Sequence, residues 1–216
     1  RDILEYRLKF SDETLFTCDI MIENSKGAME TLTFGAADRG ASTGDGTDRK
    51  TIGLLDSNFC EYELPPIPHT DIFDVRWTIP LNNGILRSIY PGATEGVESS
   101  SIYRAVIQSG GINGRTSEHY PVKISWNMTD VPASTGDEDR NPTGGSWWIK
   151  DAVSNGNLFN FNMNTGDGSS MIDILNSVDG DVFELQIMRD IVQGFIIEFF
   201  WAQGDVEDGE YSGLLT

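Results

Sequence analysis

The chain has 216 residues, with 15 basic against 34 acidic side chains and a formal net charge of −19. That length suits one large β-sandwich, or two small ones, and can bury a hydrophobic core without leaning on disulfides. So acidic a surface repels phosphate backbones and anionic headgroups, which argues against nucleic-acid binding; the longest apolar stretch, 194–202, is far too short to span a bilayer and argues against membrane insertion. The acidic excess favours solubility, could hold divalent cations and could suit a saline habitat. Arg1, in place of Met, reads as a processed or artificially defined start.

Short runs of alternating apolar and polar residues recur along the chain, and a period of two marks strands with one buried face. The first run, 3–10, alternates Leu4, Tyr6, Leu8 and Phe10 with Glu5, Arg7 and Lys9, and is expected to form a hairpin with 15–23 through the turn 11–14. Phe16, Cys18, Ile20 and Ile22 share the inward face of the second run. The turn Asn24-Ser25-Lys26-Gly27 leads into 31–35. A long irregular segment follows, at about 36–70, with Gly44-Asp45-Gly46 early and Pro65-Pro66-Ile67-Pro68 late. Two consecutive prolines disfavour helix and central strand alike. Spaced apolar residues (Ile52, Leu55, Phe59) suggest a short helix within 47–63.

Strands are expected to resume at 72–79, with Phe73, Val75, Trp77 and Ile79 inward, followed by a hairpin-type turn at Asn82-Asn83-Gly84. Further strands are expected at 85–89, 102–108, 120–126, 147–150, 158–163, 171–175, 182–188 and 195–202. The last is apolar on both faces, which reads as a central strand. Glu198 interrupts one of those faces and needs a partner or an exit to water. About a dozen short strands separated by turn signals predict a single all-β domain over 1–216, an antiparallel sandwich or jelly-roll-like fold.

Several candidate sites emerge from residue type and spacing. Calcium takes six to eight oxygen ligands, and acidic glycine-rich loops can supply them. Asp45 and Asp48 in the long segment are the first choice, then Asp137 and Asp139 beside Glu138 and Asn141, with Asn164/Asp167 and Asp179/Asp181 behind; Asp, Asn and Gly are also simply the residues that turns prefer. No resident cofactor other than calcium is suggested. Cys18 and Cys60 form a disulfide candidate if the protein is secreted, or remain two separate buried thiols. Trp147 and Trp148 are adjacent and must point to opposite faces, so one belongs to the core and the other to the exterior or an interface. With Tyr90, Pro65 and Pro66 they are candidates for a subunit interface or a sugar-stacking platform. Asn127-Met128-Thr129 is a glycosylation sequon, making Asn127 a candidate acceptor. The two histidines, His69 and His119, build no local catalytic triad or metal pair, and nothing selects a carboxylate pair among the 34 acids. No catalytic residues are therefore assigned.

Leu32-Thr33-Phe34-Gly35, Gly46-Thr47-Asp48, Glu61-Tyr62-Glu63-Leu64-Pro65-Pro66-Ile67-Pro68, Phe73-Asp74-Val75-Arg76-Trp77 and, later, Tyr120-Pro121-Val122-Lys123-Ile124-Ser125-Trp126 with Val131-Pro132 follow one another in a distinctive order. The series resembles modules of large surface and secreted proteins of the Bacteroidota and related phyla, often found ahead of a type IX secretion sorting domain. Trp77 stands where that pattern usually has Phe, and the sorting domain has no counterpart here. The resemblance implies an extracellular β-sandwich and no particular reaction. Three readings follow. The first is a secreted, non-enzymatic subunit of an extracellular fibre, sheath or surface layer, self-associating into a polymer through edge strands or the terminal segments 1–10 and 204–216. The second is a glycan-binding or adhesion module of a larger secreted protein. An extracellular hydrolase ranks last.

Overall fold

The computed structural model describes residues 14–37, 55, 57–91, 102–111, 116–132 and 145–201. Within them run twelve strands: β1 (Thr14–Glu23), β2 (Met29–Ala37), β3 (Asp74–Trp77), β4 (Arg87–Pro91), β5 (Ile102–Gln108), β6 (Val122–Asn127), β7 (Gly145–Asp151), β8 (Phe159–Asn162), β9 (Gly168–Ser170), β10 (Ile174–Asp179), β11 (Val182–Ile187) and β12 (Gly194–Trp201). They form two six-stranded sheets, ordered β10-β11-β6-β1-β2-β4 and β3-β5-β12-β7-β8-β9. The chain is an all-β sandwich.

The inward faces carry the alternating apolar residues. Cys18, Ile20, Ile22, Leu32, Phe34, Ile124 and Trp126 from the first sheet meet Trp77, Tyr103, Trp147, Ile149, Phe195 and Ile197 from the second in one buried cluster. Aromatic rings join the layers, Phe34 lying 5.1 Å from Tyr103 and 5.4 Å from Trp147, and within the second sheet Trp77 lies 5.7 Å from Phe195 edge-on. Each such ring buries 150–250 Å² or so and prefers these tilted contacts over flat stacking. β12 is central, paired with β5 on one side and β7 on the other, and Phe195, Ile196 and Ile197 are all buried. Glu198 finds its partner in Lys150 on the neighbouring strand.

Several expectations change. The 3–10 run, and with it the expected hairpin to 15–23, lies outside the described residues; β1 pairs with β2 and, over Ile20–Glu23, with β6, and the Asn24–Gly27 turn closes the β1–β2 hairpin. The Asn82-Asn83-Gly84 turn does return the chain, but only Ile85 bridges back to Trp77. The chain then crosses to the other sheet, where β4 runs parallel to β2, the one parallel pair described. In the described part of 47–63 the helical element is a single 3-10 turn, Ser57–Phe59. The strand expected at 171–175 begins only at Ile174, as β10: residues 171–173 carry the chain from β9 on one sheet edge to β10 on the other. Met171 is 83% exposed and Leu175 61%, so neither apolar residue faces the core.

Candidate functional site

Three stretches of the distinctive series, Leu32–Gly35, Glu61–Pro68 and Phe73–Trp77, converge in space, while Gly46-Thr47-Asp48 lies outside the described residues. Arg76 on β3 is buried, its Nε donating to Asp74 Oδ1 at 2.6 Å and its Nη2 to Asp74 Oδ2. Nη1 donates to the carbonyls of Pro65 at 2.8 Å and Asn83 at 2.7 Å. One guanidinium fork thus ties β3 to the proline segment and the following turn, a role its planar geometry suits and a lysine's does not. Gly84, at φ +105°, keeps that turn open: a Cβ there would stand 2.6 Å from Arg76 Cδ. Glu63 Oε1 accepts from Asn83 N at 2.9 Å, and Leu64 N donates to Gly84 O at 2.9 Å. Buried Glu61 accepts from Ile89 N of β4 at 2.7 Å. Trp77 Nε1 donates to Thr33 O at 2.9 Å, and Tyr103 OH to Gly35 O at 2.5 Å. Gly35 lets β1 approach, since a Cβ there would lie 2.3 Å from Phe16 O. These residues hold backbone in place.

The same contacts govern the sheet edges. A sheet edge presents unpaired N–H and C=O groups unless something covers it. The free side of β3 exchanges two hydrogen bonds with Ile85, Trp77 N to Ile85 O at 2.8 Å and Ile85 N to Trp77 O at 3.1 Å. The free side of β4 is met by the Glu61 carboxylate. β9 is an edge only three residues long. β10 is different: six residues, an exposure pattern of one intermediate and five exposed, and among the described residues no partner beyond β11. Its sequence from Ile174 to Val178 carries no charge. Val178 is 55% exposed, and Val182 and Met188 on the flanks of β11 are 44% and 41% exposed.

Asp179 pairs with Val182 across a two-residue turn, and Met188 N donates to Asp173 O. Antiparallel ladders alternate hydrogen-bonded and non-bonded pairs, so Asp173, Leu175, Ser177 and Asp179 bond toward β11. The N–H and C=O groups of Ile174, Asn176 and Val178 therefore point out of the open edge. The side chains of those three share a face with their register partners Ile187, Leu185 and Phe183, all buried, which makes it the inward face.

Asp45, Asp48, Asp137 and Asp139 lie outside the described residues, as do 204–216. Among the described residues no group of three His, Cys, Asp or Glu side chains is placed to hold a metal. The turn at 164–167 is organised by protein groups, Asn162 Oδ1 accepting from Asn164 N at 2.9 Å and Thr165 N at 3.2 Å. Cys18 and Cys60 are separate free thiols, a correction to the disulfide candidate: Cys18 is buried on β1 and Cys60 is exposed beside the 3-10 turn. Burial pushes the Cys18 thiol up to about 12, with Asp130 and Asp19 adding to the effect.

Of the tryptophan pair, Trp147 is core and Trp148 stands half-buried on the outer face, donating to Ser146 Oγ at 2.7 Å. Tyr90 lies in β4, whereas Pro65 and Pro66 are exposed above the Arg76 clamp. Asn127 ends β6, where its Oδ1 accepts from Thr129 N and Oγ1. Sequence reasoning missed Asp151. It is fully buried and accepts from Ser154, Gly156 and Leu158 backbone N–H groups, holding the loop between β7 and β8. Burial raises its pKa, but hydrogen bonds from Ser154, Leu158 and Phe159 more than offset that, and the carboxyl lies below its ordinary value. The signal in sequence was only an Asp at a strand end before a Ser/Asn/Gly run. No family model, curated protein or solved structure matches the chain.

Proposed function

We propose that this chain is a non-enzymatic structural subunit of an extracellular fibre, sheath or surface layer, and that copies associate through β10. The observation that carries the reading is the contrast among the edges: two covered, one trimmed to three residues, and one of six residues, free of charge from Ile174 to Val178 and with no partner beyond β11 among the described residues. An open edge recruits an extended segment through main-chain hydrogen bonds, with alternate side chains setting specificity. The described carboxylates at Glu61, Glu63, Asp74, Asp151 and Glu198 each hold backbone or a cation, which supports a structural role for them. The extracellular placement rests on the resemblance of the series from Leu32–Gly35 through Phe73–Trp77 to Tyr120–Trp126 and Val131-Pro132 to secreted modules.

Asn176→Pro tests the reading. It removes an outward N–H and leaves the β10–β11 bonds in place, so the fold is expected to survive while assembly, read by sizing and negative-stain microscopy, is lost. Wild-type protein that stays monomeric at high concentration refutes the reading.

A second reading, glycan binding, is favoured by the register that sets Trp148 between Glu198 on β12 and Asn162 on β8. An aromatic face flanked by a carboxylate and an amide suits a sugar ring and its hydroxyls. A glycan array should then show a signal that Trp148→Ala abolishes; equal signals from both proteins dismiss it.

A further inference from the structure

On the reading that β10 is an assembly edge, we infer that its occupant is the segment 3–10 of a second copy, added to the six-stranded sheet as a further strand. Three observations fit this occupant.

The first is pattern. An added strand meets an inward face made by Ile174, Asn176 and Val178 and an outward face made by Leu175, Ser177 and Asp179. The segment brings Leu4, Tyr6, Leu8 and Phe10 on one face and Glu5, Arg7 and Lys9 on the other. Its apolar face extends the core beside Val178, now 55% exposed.

The second is charge. Residues 1–10 hold three basic side chains against two acidic ones, in a chain whose net charge is −19. The exposed acids at the end of the edge are Asp179 and Asp181. A parallel register sets Lys9 opposite Asp179, and an antiparallel one sets Arg7 there. Both keep the apolar face inward and place Leu8 opposite Val178.

The third is reach, which assigns the segment to another copy. Asp179 stands level with Asp19, because Asp179 pairs with Val182, Val182 with Asn127, and Ile20 with Trp126. Thr14 therefore lies five residues beyond that level and three strands across, about 22 Å from Asp179 at ~3.4 Å per residue and ~4.8 Å per strand. The four-residue span from Phe10 to Thr14 covers at most about 14 Å. Phe10 of the same chain cannot reach the position that either register gives it.

Disulfide trapping tests the assignment in the full-length chain. Leu8→Cys and Val178→Cys are made separately in a Cys60→Ser background, in which Cys18 remains buried, then mixed under mild oxidation. The expected result is a cross-linked band at twice the chain mass in the mixture, absent from either variant alone. A linked dimer of Val178→Cys alone means that β10 pairs with β10 and overturns the assignment. A bridge inside single chains of the doubly substituted protein overturns the reach argument and with it the second copy. Assembly without any cross-link removes this donor and leaves the edge reading standing, whereas chains that do not assemble remove both.

Discussion

Replacing Arg76 by Met isolates the clamp that joins β3 to the proline segment. The Arg76 side chain is 4% exposed and that of Asp74 18%, so the substitution strands a carboxylate with little access to water. Breaking a buried pair by removing one partner costs about 3–5 kcal/mol. The carbonyls of Pro65 and Asn83 also lose a charged donor, but both segments lie near the surface and water replaces part of what is lost. A total of about 5 kcal/mol is expected, a large share of the ~5–15 kcal/mol that holds a typical domain together. For a chain of this size that corresponds to a fall of roughly 10–20 °C in melting temperature. Urea and thermal unfolding with a tryptophan signal read it directly. Adding Asp74→Leu to Arg76→Met should restore about 2 kcal/mol or more, because the stranded charge is then gone. A loss below about 1 kcal/mol, the scale of an exposed pair, would refute the reasoning. The Arg189–Asp173 pair, 64% and 71% exposed, is the internal standard for that scale.

Two further outcomes follow from titrating groups. Asp151 has a folded-state pKa below its ordinary value, so its stabilisation is complete above the ordinary carboxylate range and disappears as pH falls through the depressed value. Asp151→Ala should cost about 3 kcal/mol at neutral pH through its orphaned backbone donors, and its stability should fall less steeply than the parent's below pH ~4; parallel acid limbs in chemical denaturation would count against this. Cys18 is raised to about 12, so its protonated form contributes stability that is whole below its unfolded value and is lost as pH climbs toward 12. Native protein at neutral pH should therefore give one equivalent of thiol labelling, at Cys60, and two after unfolding; equal rates at both cysteines would contradict the burial of Cys18.

The sequence exposes which face each residue takes far better than which strand lies beside it. β5 runs from Ile102 to Gln108 as expected because its exposure alternates without a break. Period-two patterning says nothing of neighbours, so the parallel β2–β4 pair and the crossing between sheets after Gly84 were invisible. Apolar residues alone misplaced the strand at 171–175, since Met171 in the bend and Leu175 on β10 both face water. The Glu61–Pro68 and Phe73–Trp77 series was legible as a pattern, yet its meaning depends on Arg76 reaching carbonyls eleven and seven residues away. The candidate edge was legible only in kind, as a strand end free to meet a neighbour; locating it on β10 required knowing that the other three edges are closed or short.

That asymmetry bears on function more than any single residue does. Sheet edges are ordinarily blunted by lysine, proline, a bulge or a covering segment. This chain closes β3 with a bridge to Ile85 and meets β4 with a buried glutamate, and 23% of its residues are charged. Yet Ile174 to Val178 contains none of those charges and no proline, and its outward N–H and C=O groups belong to residues whose side chains line the core face. Two copies of so acidic a chain repel each other at long range, with a screening length of about 8 Å at physiological salt. Contact is least costly where the surface carries no charge and where the incoming segment brings basic side chains, and β10 beside Asp179 offers both conditions.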